Sequence, residues 1–297
     1  MANPKNAAWY GGGLGMFLLP GANLADNSLF YVDDTAGLDA NDGLTPMTAY
    51  KTITHALTHL VAGMPNYVIV LRYGNFPAGE GWPIVIGQDK TQLIAAQYGS
   101  DGPATYLVAD AAACLTVDAD DVRVQGFMVR PAVGSVAVLF TGDHRRASIL
   151  DCRFDIGTYG LYSAMGGISW GLDVERCHFV GNLTGGGISL QDDPASIRIH
   201  NNVFKCNEGA GHIAIDILNG GEAEITHNQF SIEQVGATGH AVTLQVNTNA
   251  AFVNNNWAAT GVAVPPINPY RDLGGAVAPN AWGLNYMGLT PTYPVFV

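Results

Sequence analysis

The residues best able to do chemistry in this 297-residue chain lie in "QDDP", residues 191–194, and in "GAGHIAID", residues 209–216. Asp192 and Asp193 pair two carboxylates, and His212 and Asp216 follow, His212 standing 19 residues after Asp193. Carboxylates set across a water can act as general acid and base in glycoside cleavage. Two aspartates before Pro194 also make an ordinary turn, and His212 precedes an apolar run as His240 does further on. Asp192, Asp193 and His212 therefore stand as an alternative, and no catalytic residue is assigned. His55 and His59 sit four apart, a metal-binding spacing, but no third ligand lies nearby, so a solvated helix face is favoured. Arg145 and Arg146 adjoin Asp143, and Arg153 adjoins Asp151 and Asp155, as in a solvated loop or an intersubunit ion pair. No cofactor or metal is expected.

Whatever these groups do, a repeated element must hold them. "IRIHNNVFKCN", residues 197–207, has relatives at "VRVQGFMVRPA", "SILDCRFDIG", "DVERCHFVGN", "EITHNQFSIE" and "AFVNNNWAAT". Their aromatics, Phe127, Phe154, Phe179, Phe204, Phe230 and Trp257, are 27, 25, 25, 26 and 27 residues apart. Five residues before each stand Val122, Ile149, Val174, Ile199, Ile225 and Phe252, all apolar; two before stand Gln125, Cys152, Cys177, Asn202, Asn228 and Asn255. Second apolar runs such as "SVAVLF", "GHIAID" and "GHAVTL" lie between the copies. Short strands repeating at this period, with no helical periodicity between them, predict a solenoid: an all-β, right-handed parallel β-helix. Equivalent residues should pile up at roughly 4.8 Å intervals. Phe154, Phe179, Phe204 and Phe230 should then form one internal row, and Asn202, Asn228 and Asn255 a corner ladder satisfying backbone groups that a sharp turn removes from the sheets.

Ahead of the repeats, Thr45 is a candidate N-cap with Pro46 at the first helical position, and Ile53, Ala56, Leu57 and Leu60 share one face. A capping helix near 46–62 would cover the open end of the solenoid. The segment "YVDDTAGLDANDGLTPMTAYKTITHAL", with Asp33, Gly37, Asp39, Asp42, Gly43, Pro46 and Thr52, resembles the opening of pectate-lyase-like β-helix proteins. With the repeats, that likeness covers about residues 29–260. It implies the fold and leaves open lyases, hydrolases, epimerases, phage tailspikes and non-enzymatic virion proteins. The paired aspartates and the Gly-His resemble part of the polygalacturonase signature, but its Asn-Thr-Asp and Arg-x-Lys motifs are missing.

The chain divides into an N-terminal arm, 1–28, the β-helix, 29–261, and a C-terminal arm, 262–297. The arms are poor in charge yet carry Trp9, Tyr10, Phe17, Tyr270, Trp282, Tyr286 and Phe296, side chains that suit a surface. They are expected to run along the solenoid or onto a partner. A net charge of −12 and the lack of a basic cluster argue against nucleic acid, and no run of about 18 apolar residues suggests a membrane span. The opening lacks a convincing export signal, so the chain is read as not secreted. In a reducing compartment Cys152 and Cys177, neighbours in one column, should be free buried thiols. These features suggest a non-enzymatic phage virion protein, a decoration, cement or spike component. It would assemble in the host cytoplasm as a homotrimer and bind a capsid or other virion protein through its arms. The alternatives are a carbohydrate-active enzyme and a glycan-binding module that stacks a host glycan on Trp170 or Tyr162.

Overall fold

The structure, a computed structural model, describes residues 28–296 apart from 75–78, 97, 100–101, 104, 111, 156, 164–167, 182, 192–194, 207–212, 233–239, 249–250, 261–269, 274–279, 288–289 and 293–294. Three sheets of ten, nine and nine strands run side by side, and almost every pairing is parallel between strands one coil apart. One coil reads Ile168–Glu175 in the first sheet, His178–Gly181 in the second and Leu183–Leu190 in the third, before the chain returns to the first at Ile197–His200. This is a parallel β-helix. Alternation along each strand explains the core: Ile188 and Leu190 are buried inside while Ser189 between them lies on the opposite face of the sheet, itself covered and without exposure, and Ile215 and Ile217 flank the half-buried Asp216.

The corner between the first and second sheets is made by Gly126, Asp151, Arg176, Asn201, His227 and Asn255, all with positive φ, between 52° and 83°. The next residue turns inward. Asn202, Asn228, Asn256 and Asn285 form a buried amide ladder there. Each Oδ1 accepts the backbone N–H one coil back, from Cys177 at 2.8 Å, Asn202 at 3.0 Å, Asn228 at 3.0 Å and Asn256 at 3.1 Å. Each Nδ2 donates to a strand-end carbonyl, of Val174, Ile199, Ile225 and Val253. Every polar group that the turn takes out of the sheets is thereby satisfied from coil to coil. Cys152 and Cys177 continue the column, their thiols donating to the carbonyls of Leu150 and Ile149.

The register expected for the two outer copies is corrected. Phe230 pairs with Ala258 rather than Trp257, so the ladder residue is Asn256, while Asn255 is the exposed left-handed turn residue. Phe154 pairs with Val129 rather than Phe127, and Leu150 with Gln125. The inner apolar column accordingly contains Val124 and Val253, not Val122 and Phe252. Among the inner copies the rings of Phe154, Phe179, Phe204 and Phe230 stack with centroids 4.8, 4.6 and 4.9 Å apart. Glycines across the interior make room: a Cβ on Gly160 would stand 2.6 Å from the Phe179 ring, and one on Gly187 2.7 Å from that of Phe204.

The single helix expected near 46–62 is two short pieces. Pro46–Thr48 is a 3-10 turn capped by the Thr45 side chain, and Ile53–Leu57 is an α-helix capped by Thr52. Between them Tyr50 bridges to Val32, and the Asp39 carboxylate accepts from the N–H groups of Lys51 and Thr52, at 2.9 Å each, which holds the chain extended. Ile53 and Ala56 are buried in the solenoid core, and the Glu80 carboxylate accepts from the N–H groups of Ile53 and Thr54.

The C-terminal segment takes the first of its two expected courses, along the solenoid. Tyr270–Asp272, Ala281–Trp282, Asn285–Met287 and Val295–Phe296 extend the three sheets. Tyr270 is fully buried, Trp282 packs on the core and donates its indole N–H to Asp272 at 2.8 Å, and Tyr286 pairs with Trp257. Phe296 pairs with Asp272. These residues continue the coil instead of reaching away from it. Trp9, Tyr10 and Phe17 lie outside the described residues.

Cys114, Cys152 and Cys177 are free and buried. Burial pushes the Cys114 thiol up to about 12 and raises Cys177 well above its ordinary range. In the native protein all three are expected to resist iodoacetamide at pH 8 and to react once denatured, as read by peptide mass spectrometry. Native-state labelling at any of them would contradict this burial.

Candidate functional site

The outward column of the third sheet runs Leu139, Tyr162, Ser189, Asp216, Thr243, Arg271, one residue per coil in direct register. Rigid strands hold it: Leu161, Ile188, Ile215 and Val242, the neighbours of these residues, are anchored in the core with no exposure. Tyr159 joins the row where the pairing slips between Gly157 and Tyr159, and its ring stacks on Tyr162 with centroids 5.1 Å apart and planes at 21°. Gly185 leaves space for that ring, since a Cβ there would meet it at 2.6 Å.

Polar groups stand beside this aromatic pair. Gln191 donates to the Ser189 hydroxyl at 2.9 Å, and Ser189 hydrogen-bonds the Tyr159 phenol. Gln245 donates to Asp216 at 2.8 Å. Burial raises the Asp216 pKa, more than the Gln245 hydrogen bond lowers it. The Tyr159 phenol is raised by its own burial and then by the nearby Asp216. The site therefore combines a flat aromatic platform with a half-buried carboxyl and two amides, braced from beneath by the covered Ser189 hydroxyl.

Of the residues singled out from the sequence, Asp192, Asp193 and His212 lie outside the described residues. Asp216 belongs to the row. Tyr162 does as well, whereas Trp170 is on the first sheet, 43% exposed, with the Arg146 guanidinium 5.9 Å above its ring. The arginines pair across coils, Arg146 with Asp121 and Arg176 with Asp151. Exposed pairs of this kind add little stability. Among the described residues no group of three or more His, Cys, Asp or Glu is arranged to hold a metal ion. Among the described residues no helix is long and apolar enough to cross a membrane.

The sequence reading missed Tyr159, Ser189 and Gln245, and Ser189 carried a readable signal. "ISL", "IDI" and "VTL" each place one polar residue between two buried aliphatics, and those three polar residues are the stacked Ser189, Asp216 and Thr243.

Fold and site together define a parallel β-helix protein with a polar and aromatic outer face. No protein-family model matches the chain, and no curated protein does. Among solved structures, the GH136 lacto-N-biosidase of Eubacterium ramulus is similar with a TM-score of 0.51 and 10% identity, over 82% of this chain and 59% of that one. A double mutant of the tailspike protein of E. coli bacteriophage HK620 is similar with a TM-score of 0.46 and 12% identity, over 76% of this chain and 49% of that one. The chain thus spans about half of the tailspike and three fifths of the lacto-N-biosidase, and at 10% identity the likeness to the lacto-N-biosidase is one of fold.

Proposed function

We propose that the protein is a non-enzymatic, virion-associated β-helix, a spike or decoration component, that holds a neutral glycan on the outer face of its third sheet. Tyr162 and Asp216, flanked by Tyr159 and Gln245 and braced by the covered Ser189, carry the reading. A sugar ring offers a C–H face and a rim of hydroxyls. Stacked phenols suit the first, and the Asp216 carboxyl with the Gln191 and Gln245 amides suits the second. The net charge of −12 supports a neutral ligand over an acidic one. Continuous ladders between coils support a mechanical role in a particle. Self-association as a homotrimer, and attachment to a capsid or other virion protein through residues 1–28 with Trp9, Tyr10 and Phe17, complete the proposal.

A second reading, glycoside hydrolysis with Asp216 as proton donor, is favoured by the raised pKa of that carboxyl. Binding to an array of neutral glycans, followed by product analysis, separates the two. Tyr162→Ala and Asp216→Asn should each weaken retention roughly tenfold, about 1.4 kcal/mol, with no shortened product from any form. Product made by the parent and not by Asp216→Asn would overturn the non-enzymatic part. Equal retention by all forms would overturn the site.

Asp216 also links function to stability. Its folded-state pKa lies above the unfolded one, so the folded state keeps the proton to higher pH, and stability falls as pH rises from the ordinary carboxylate range through the raised value. Asp216→Asn removes that penalty. The variant should be at least as stable as the parent at pH 7 while binding more weakly.

A further inference from the structure

His55 and His59 are not merely a solvated helix face. They lie on the capping helix Ile53–Leu57 and the turn after it, with Nε2 atoms 3.2 Å apart. Two imidazole nitrogens bound at about 2.0–2.1 Å to one tetrahedral zinc stand about 3.3 Å from each other, so this separation matches a chelate bite. Spacing four apart on a helix brings both side chains to one face. The rings are also clamped. Tyr50 stacks on His59 at 5.1 Å with planes 11° apart and meets His55 edge-on at 4.8 Å, and Phe30 approaches His59 at 6.1 Å. A chelate whose ligands are already packed forfeits little side-chain freedom on binding. His59 is exposed and His55 half-buried, so the nitrogens stay open to solvent and to the waters that would complete the shell. Asp39 and Asp42 lie near enough to act electrostatically on Tyr50, which adds negative potential beside the pair.

We propose that His55 and His59 form a two-histidine chelate for a divalent transition metal of the imidazole-preferring class, zinc or a close relative, which ties the capping helix to the turn that ends it. The helix rests on the first strands through Ile53 and Ala56, and the ion joins residue 55 to residue 59.

Zinc chloride titrated into the untagged full chain at pH 7.5 tests this by calorimetry and by amide exchange. One ion should bind per chain, and exchange over residues 53–60 should slow in the parent protein. His55→Gln and His59→Gln should each weaken binding by tenfold or more, whereas His178→Gln, on the second sheet, should leave it unchanged. The histidines could instead share a plain hydrogen bond. That outcome would give no saturable heat and no slowing of exchange in the parent, and either result overturns the proposal without any variant. Zinc affinity unchanged in both glutamine variants would overturn it equally.

Discussion

Asn228→Leu is expected to cost about 3–5 kcal/mol, read as a lowered urea midpoint. Leucine keeps the branched shape and the number of side-chain heavy atoms but is bulkier, so the loss combines unmet polar groups with some overpacking. Asn228 accepts from the backbone and side-chain amides of Asn202, both at 3.0 Å, and donates to the Ile199 carbonyl at 2.8 Å and to Asn256 at 3.0 Å. Removing it strands several buried polar groups, and each costs about 1–3 kcal/mol when nothing replaces its partner. Asn256→Leu should behave alike. Asn255→Leu should not: that residue is exposed with φ of 53°, so the change loses only the asparagine's tolerance of a left-handed turn, about 1–2 kcal/mol. Equal losses for Asn228→Leu and Asn255→Leu would refute the ladder as described.

Phe179→Ala should also cost about 3–5 kcal/mol. Its ring lies between those of Phe154, 4.8 Å away, and Phe204, 4.6 Å away, and is fully buried. Truncation leaves a void in the middle of a stack whose neighbours are held by their own strands and cannot collapse into it. The opposite error should hurt as well. Gly160→Ala drives a methyl to 2.6 Å from that ring and 2.8 Å from the Gly187 carbonyl oxygen, so strands must part, at about 1–3 kcal/mol. If Phe179→Ala lowered stability by less than about 1 kcal/mol, the stack would not be a main source of cohesion.

Much of this was legible because a solenoid repeats its constraints. Four phenylalanines at intervals of 25, 25 and 26 residues fix the register of the inner coils, and Asn202 and Asn228 follow from it. Legibility fails where one residue type fits two neighbouring positions. In "NNNW" three asparagines precede an aromatic, and nothing local tells which amide turns inward, because the left-handed turn accepts asparagine as readily as the ladder does. In the first copy Phe127 occupies the corner column, where a buried aromatic serves as well as a cysteine, and so it mimicked the marker. The last coil was hidden for a different reason. Its strands are two or three residues long and separated by proline and glycine, so no periodicity builds up, and Tyr270 and Trp282 read as sticky when one is core and the other packs on it. The outer-face row is spread over four coils, and only the correct register brings Tyr162, Ser189, Asp216 and Gln245 together.

The amide ladder turns distance into a matter of counting. Asn228 and Asn256 each meet an asparagine above and below, so a winding such as residues 202–227, inserted twice or left out, still meets a matching seam at both edges. The span between the two extremities is then a ruler graduated in steps of roughly 4.8 Å, adjustable by copying or losing whole graduations while the cross-section stays fixed.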